Sequence, residues 1–167
     1  MNIGGRGERL LKSPRYKREW RNICAILPAY LPDGTNGTEI TYTDGTAEPV
    51  ERRLDWVLND ILGHLKSSKA ILEKQSKIIL DKEVRRVPLI LCPDFALVPV
   101  KGREAVGEHD KSTGYIVLKQ TDKIMPGKGG GCRICFQGGA SLNVYDTPRT
   151  LWKNIQLAEQ INRQMCA

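Results

Sequence analysis

The sequence predicts an α+β domain of small antiparallel sheets, with a central helical segment and a C-terminal helix packed on a β-hairpin. Three observations carry this reading. Short apolar runs separated by Asp-Gly and Gly-Gly pairs mark hairpins. Apolar residues between Val50 and Leu65 recur with a helical period. Thr147-Pro148 then opens a final amphipathic run, with threonine as a cap and proline at the first helical position. A chain of 167 residues fits one domain, and 40% hydrophobic with 27% charged content is that of a folded globule, not a disordered chain.

Residues 1–21 are expected to form a flexible basic arm ahead of a single domain spanning 22–167. Arg6, Arg9, Lys12, Arg15, Lys17, Arg18 and Arg21 stand there against Glu8 and Glu19, so the arm carries most of the net charge of +7. With Gly4, Gly5, Gly7 and Pro14 it has too little apolar surface to offset the entropy of ordering. Such an arm either lies along phosphates and enters a minor groove, or serves as a solvated tail.

Ile23 to Leu27 reads as a first strand stopped by Pro28, followed by turn chemistry at Pro32-Asp33-Gly34 and Asn36-Gly37. Glu39 to Thr43 and Thr46 to Val50 form a hairpin across Asp44-Gly45, a pair suited to a primed turn. Val50, Leu54, Val57, Leu58, Ile61, Leu62 and Leu65 then fall on one stripe of a helix running to about Lys66. A second helical run follows from Ser67 or Ser68 as cap, with Ile71, Leu72, Ile78 and Ile79 as its buried positions. Gly63 does not force a break, which leaves one longer helix open. The run ends at Val87-Pro88, because proline disfavours helical geometry in the residue before it.

Leu89 to Cys92 and Phe95 to Val98 are short apolar strands joined through Pro93-Asp94. Lys101 to Gly114 is a polar loop of the length that often carries function. The terminal unit begins at Tyr115 to Leu118. Met125 to Gly131 is a glycine-rich hairpin tip bearing Lys128, and Cys132 to Phe136 and Ser141 to Tyr145 flank a primed turn at Gly138-Gly139. In the last helix Leu151, Ile155, Ala158, Ile161 and Met165 recur on one face, which must pack on the sheet.

Little in the chain points to catalysis. His64 and His109 lie in no recognisable triad, and Gly127 to Gly131 lacks the lysine-threonine of a phosphate-cradling loop, so an enzyme is not expected. Cys132-Arg133-Ile134-Cys135 has metal-ligand spacing, but only one such pair is present, and on a strand its two thiols face opposite ways. The five cysteines are expected to be reduced, and no metal or cofactor is expected. Without a long apolar run or a signal-peptide pattern, the expected location is the cytoplasm, with no membrane partner.

Taken in order, several segments resemble the family of the competence transcription factor ComK. They are Ala25-Ile26-Leu27-Pro28-Ala29-Tyr30, Val87-Pro88-Leu89-Ile90, Phe95-Ala96-Leu97-Val98-Pro99, Tyr115-Ile116-Val117-Leu118 and Ile134-Cys135-Phe136-Gln137-Gly138-Gly139, followed by a helix through Asn154, Ile155 and Gln156. The likeness spans roughly Cys24 to Gln164. Ser67-Ser68-Lys69-Ala70 departs from it where the family has a small-residue and Gly-Arg segment, as do the basic arm and the loop from Lys101 to Gly114. The resemblance implies a regulator that binds paired AT-rich boxes of duplex DNA as an oligomer, partly through the minor groove. It also implies control by an adaptor of Clp proteolysis.

A pI near 9.3 fits a polyanionic partner. The expected function is therefore cofactor-free DNA binding in transcription regulation, with Arg6, Arg9, Arg15, Lys17, Arg18, Arg21, Arg85, Arg86, Arg103, Lys128 and Arg133 as candidate contacts. The competing reading is a protein-interaction module, an inhibitor or adaptor that does not touch DNA.

Overall fold

The computed structural model describes residues 16–107 and 110–165. Among the described residues nine strands form two antiparallel sheets, in keeping with the α+β class. The larger sheet contains β1 (Ile23–Tyr30), β2 (Asn36–Tyr42), β3 (Ala47–Val50), β4 (Leu89–Cys92), β5 (Phe95–Lys101) and β6 (Thr113–Val117), in the order β3-β2-β1-β6-β5-β4. β7 (Thr121–Pro126), β8 (Cys132–Phe136) and β9 (Ser141–Val144) form the smaller one. The helices are α1 (Leu54–His64), α2 (Lys69–Leu80) and α3 (Pro148–Met165).

The larger sheet is buried on both faces along β1 and β5, whose residues are accordingly apolar at consecutive positions. Ile23, Ile26, Phe95, Leu97, Tyr115 and Val117 turn to one side, where α1 covers them with Leu54, Val57, Leu58, Ile61 and Leu62. Cys24, Ala25, Ala96, Val98 and Ile116 turn to the other, against Ile134 and Phe136 of the smaller sheet and Leu151, Ile155, Ala158 and Ile161 of α3. The expected packing of the last helix on a hairpin thus holds, with the larger sheet beneath both. Tyr115 to Leu118, expected as part of the terminal unit, instead supplies β6, inserted between β1 and β5.

Three local expectations change. Pro28 does not stop β1, because β6 pairs only with Ala25 and Ile26, so at Pro28 the strand has β2 alone as a neighbour and needs no second amide hydrogen bond. The turns at Asp44-Gly45 and Gly138-Gly139 are not primed. Only Gly45 and Gly139 have positive φ, and Tyr42 N donates to Thr46 O while Gly45 N donates to Tyr42 O, the pattern of a three-residue loop with a glycine bulge. Asp44 orders its loop by accepting from Thr46 N and Oγ1, and these bonds, with Arg18 adding to them, hold its carboxyl down at about 2.

The central segment is two helices. Lys66 takes a left-handed conformation (φ 61°) that separates them, and Ser68 Oγ caps α2 by accepting from Ile71 N at 3.3 Å. Asp81, also left-handed, ends α2 well before Pro88. Val50, placed at the head of the first helix by its spacing, is the last residue of β3. In α2 only the Leu72 side packs inward. Ile71 (50% exposed) and Ile78 (68%) face solvent, and so does Met165 at the end of α3. Thr147 does cap α3, its Oγ1 accepting from Thr150 N at 3.3 Å.

Residues 16–21 are tied to the domain and do not belong to a free arm. The Tyr16 hydroxyl donates to Asp60 at 2.7 Å, Lys17 N to buried Glu48 at 2.7 Å, and the Trp20 ring packs edge-on to Phe95 with centroids 5.3 Å apart. Residues 1–15, with Arg6, Arg9 and Arg15, lie outside the described residues, as does His109. Asp146, just after β9, locks the smaller sheet to the larger by accepting from Lys101 N and pairing with Arg86 at 3.1 Å.

The two-faced core makes a direct prediction for urea unfolding. Leu58→Ala, at a fully buried position, should lose about 2–5 kcal/mol of stability. Ile78→Ala, on the outer side of α2, should stay within about 0.5 kcal/mol of the parent.

Candidate nucleic-acid interface and an adjoining pocket

A groove runs between α2, the segment before β4 and the start of β6. Lys69, Glu73 and Lys77 reach it from α2, being one helical turn apart on a single face. Arg85 and Arg86 enter from the segment before β4, and Asp110 and Lys111 from the loop before β6. Five cations thus meet two carboxylates. Tyr115 lies along the same groove; burial pushes its hydroxyl above the ordinary range, with Glu73 and Asp55 adding to the effect.

The cations are not equally available. Lys111 and Lys69 bond the Asp55 carboxylate at 2.8 and 3.0 Å, and Arg86 is held by Asp146. Burial raises the pKa of Asp55, but the two ammonium groups outweigh it and hold the carboxyl below its usual range. Among the described residues Lys77 and Arg85 make no ion pair, so these two offer their whole charge to a ligand.

The other sequence-predicted contacts lie elsewhere. Lys17 and Arg18 sit beside the β2–β3 hairpin, where Lys17 N donates to Glu48 and Arg18 pairs with Asp44 at 3.0 Å, while Arg21 lies over the Trp20 ring at 4.6 Å and its carbonyl accepts from Gln120 Nε2. Lys128 occupies the β7–β8 turn, and Arg133 stands on the outer face of the smaller sheet, bonded to Ser141 Oγ at 3.2 Å. By register that face also carries Lys123, Met125, Cys135 and Asn143, a second cationic surface without a carboxylate among these positions. Arg103 is not a surface contact. It is only 9% exposed, lies 4.2 Å over the Tyr30 ring and donates from Nε to Lys111 O at 2.8 Å.

Lys69 and Lys77 belong to a basic run over residues 66–86 that the sequence marks as a face able to meet phosphates, but sequence reasoning did not bring Lys111 to it. The four-residue spacing of Lys69, Glu73 and Lys77 was a visible signal; the approach of Lys111 across the fold had none. A network next to the groove holds the loop around Lys111 in place. Asp110 accepts from the Tyr30 hydroxyl and Asn36 Nδ2, both at 2.5 Å, and from Gly107 N at 2.9 Å, while Val106 N donates to the Tyr30 oxygen at 2.6 Å.

A smaller cavity of about 140 Å³ adjoins the groove through Lys111, lined by Pro28, Asn36, Gly37, Arg53, Leu54, Asp55 and Arg103. Among the described residues no cluster of His, Cys, Asp and Glu is placed to hold a metal ion, and no helix is long and apolar enough to cross a membrane. Cys24, Cys92, Cys132 and Cys135 are free thiols, and burial pushes Cys24 up to about 11. Cys132 is buried while Cys135 lies on the other face of β8, so the pair is not set to share a metal. Comparison with known proteins finds no match: no family model, no curated protein and no solved structure is significantly similar to the chain.

The Asp110 network gives a pH prediction. Hydrogen bonds from Tyr30 and then Asn36 hold its carboxyl at about 2 in the folded protein, against about 3.9 in an unfolded chain. The stability it contributes is therefore complete above the unfolded value and lost as pH falls through the folded one. Urea midpoints of the parent and Asp110→Asn should differ by a constant amount from about pH 7 to about pH 5 and converge between about pH 4 and pH 2.

Proposed function

We propose that the protein is a DNA-binding transcription regulator of the kind its ComK resemblance implies, recognising AT-rich duplex without a cofactor or a catalytic step. The observation that carries this reading is the groove in which Lys77 and Arg85, without an ion pair among the described residues, stand beside Lys69, Arg86 and Lys111. Unpaired like charges held close together gain most from an opposing row of phosphates, and binding releases the counterions condensed on that row. Lys123 and Arg133 on the smaller sheet, with Lys128 in its β7–β8 turn, offer a second cationic surface. The basic residues of the arm, Arg6, Arg9 and Arg15 among them, supply further phosphate contacts and an arginine for a narrow minor groove. Arg103 is left out of this contact set because its guanidinium is buried.

A second reading, a protein-interaction module, rests on α2. Ile71 and Ile78 are two helical turns apart and solvent-exposed, with Lys74 between them, which is the pattern of a helix face that meets another protein or a second copy of this chain. An oligomeric regulator would use this face for assembly and the groove for DNA. Control by an adaptor of Clp proteolysis, carried by the resemblance, would require such a surface as well.

Fluorescence anisotropy with an AT-rich duplex tests the first reading. Affinity should fall steeply between about 50 and 200 mM salt, and Lys77→Gln with Arg85→Gln should reduce the salt slope by about 2, near 0.9 for each phosphate contact. Removing residues 1–15, which leaves the contacts of Tyr16, Lys17 and Trp20 in place, should take away several further units. Binding that is flat in salt, or a double variant identical to the parent, would exclude the groove and favour the interaction module.

A further inference from the structure

Apart from Lys111, which it shares with the groove, the adjoining cavity is built from groups that the proposed DNA contact leaves unused. It opens between the start of the β1–β2 hairpin, the first turn of α1 and Arg103 after β5. Pro28 and Leu54 give it apolar walls. Three features distinguish it from a packing defect.

The first is the beginning of α1. Arg53 occupies the N-cap position and provides no side-chain hydrogen bond, so the positive end of an 11-residue helix meets the cavity uncapped. The second is Arg103. Its Nε is bonded and its plane is stacked on Tyr30, yet Nη1 is buried with no partner. Buried guanidinium N–H groups are ordinarily satisfied, because leaving one bare forfeits its hydration. The third is Asn36. Its Nδ2 donates to Asp110, which fixes the orientation of the amide and leaves Oδ1 as a buried acceptor, also with no partner. Two residues that each carry a buried polar atom without a partner, a cationic donor on Arg103 and a neutral acceptor on Asn36, therefore line one small cavity at a helix N-terminus.

We propose that this pocket binds a small hydroxylated carboxylate, its carboxylate on Arg103 and the first turn of α1 and its hydroxyl donating to Asn36 Oδ1. Three cationic side chains, Arg53, Arg103 and Lys111, face one carboxylate, Asp55, so the site is positive and prefers an anion to a zwitterion. Asp55 is already engaged by Lys69 and Lys111, which leaves Asn36 as the acceptor for the ligand's hydroxyl. A short alkyl chain rests on Pro28 and Leu54. The inference stands apart from the DNA reading, since none of the groups that hold the ligand is among the proposed phosphate contacts.

Titration calorimetry on the full chain without DNA tests it, using lactate, propionate and inorganic phosphate. Lactate and propionate differ by the hydroxyl alone. Lactate should bind saturably and at least about 5-fold more tightly than propionate, the scale of one buried hydrogen bond. Arg103→Gln should weaken lactate by about 10-fold or more while circular dichroism is unchanged. Arg53 is exposed, so Arg53→Gln keeps the fold and should weaken lactate about 2-fold or more. Absence of saturable lactate binding, equal affinity for lactate and propionate, tighter binding of phosphate than of lactate, or unchanged lactate affinity in Arg53→Gln would each overturn the proposal.

Discussion

The constraint on which the rest of this structure depends is that the middle of its larger sheet, β1 and β5 with β6 between them, is apolar on both faces. A six-stranded antiparallel sheet with Ile26 and Leu97 on one side and Ala25 and Val98 on the other cannot leave either side to water. One face takes α1, the other takes the smaller sheet and α3. The outward features follow from that arrangement. α2 is left at the margin, touching both cores through Leu72 and Leu80, and its polar side therefore borders the loops that leave β5 and enter β6. The basic groove is the seam between that helix and those loops.

Electrostatics along the seam are graded. At one end Lys69 and Lys111 share Asp55, and Arg86 is paired with nearly inaccessible Asp146, contacts that serve the fold. Further out, Lys77 and Arg85 have no such partner among the described residues. Pairing that is partial keeps the groove folded while leaving net positive charge for a polyanion. Arg103 shows the opposite solution. Stacking on Tyr30 and a backbone carbonyl hold its guanidinium inside, while Nη1 is buried without a partner and the residue lines the small cavity.

Much of the local structure was legible because its causes are local. The Asp44-Gly45 and Gly138-Gly139 hairpins, the stripe from Leu54 to Leu62, and the caps at Ser68 and Thr147 depend on residues within a few positions of one another. The type of each turn was misjudged because one positive-φ glycine, not two, closes a three-residue loop. Partnership between strands that are not neighbours in the sequence was not legible. That β6 joins β1 to β5 depends on pairing between distant segments, and an apolar run such as Tyr115 to Val117 does not record which strand it will meet. The candidate site divides the same way. Arg85 and Arg86 were visible as charge, whereas the burial of Arg103 and the approach of Lys111 to Asp55 exist only once the long loop has closed on Tyr30 and Asn36.

The central functional claim is that the seam itself meets DNA. Amide hydrogen exchange of the full chain, with and without an AT-rich duplex, measures that location directly. The account predicts added protection in α2 around Lys77, in the segment of Arg85 and Arg86, and in the strand entry following Lys111. Protection confined to other surfaces, or none on adding a saturating duplex, would contradict it.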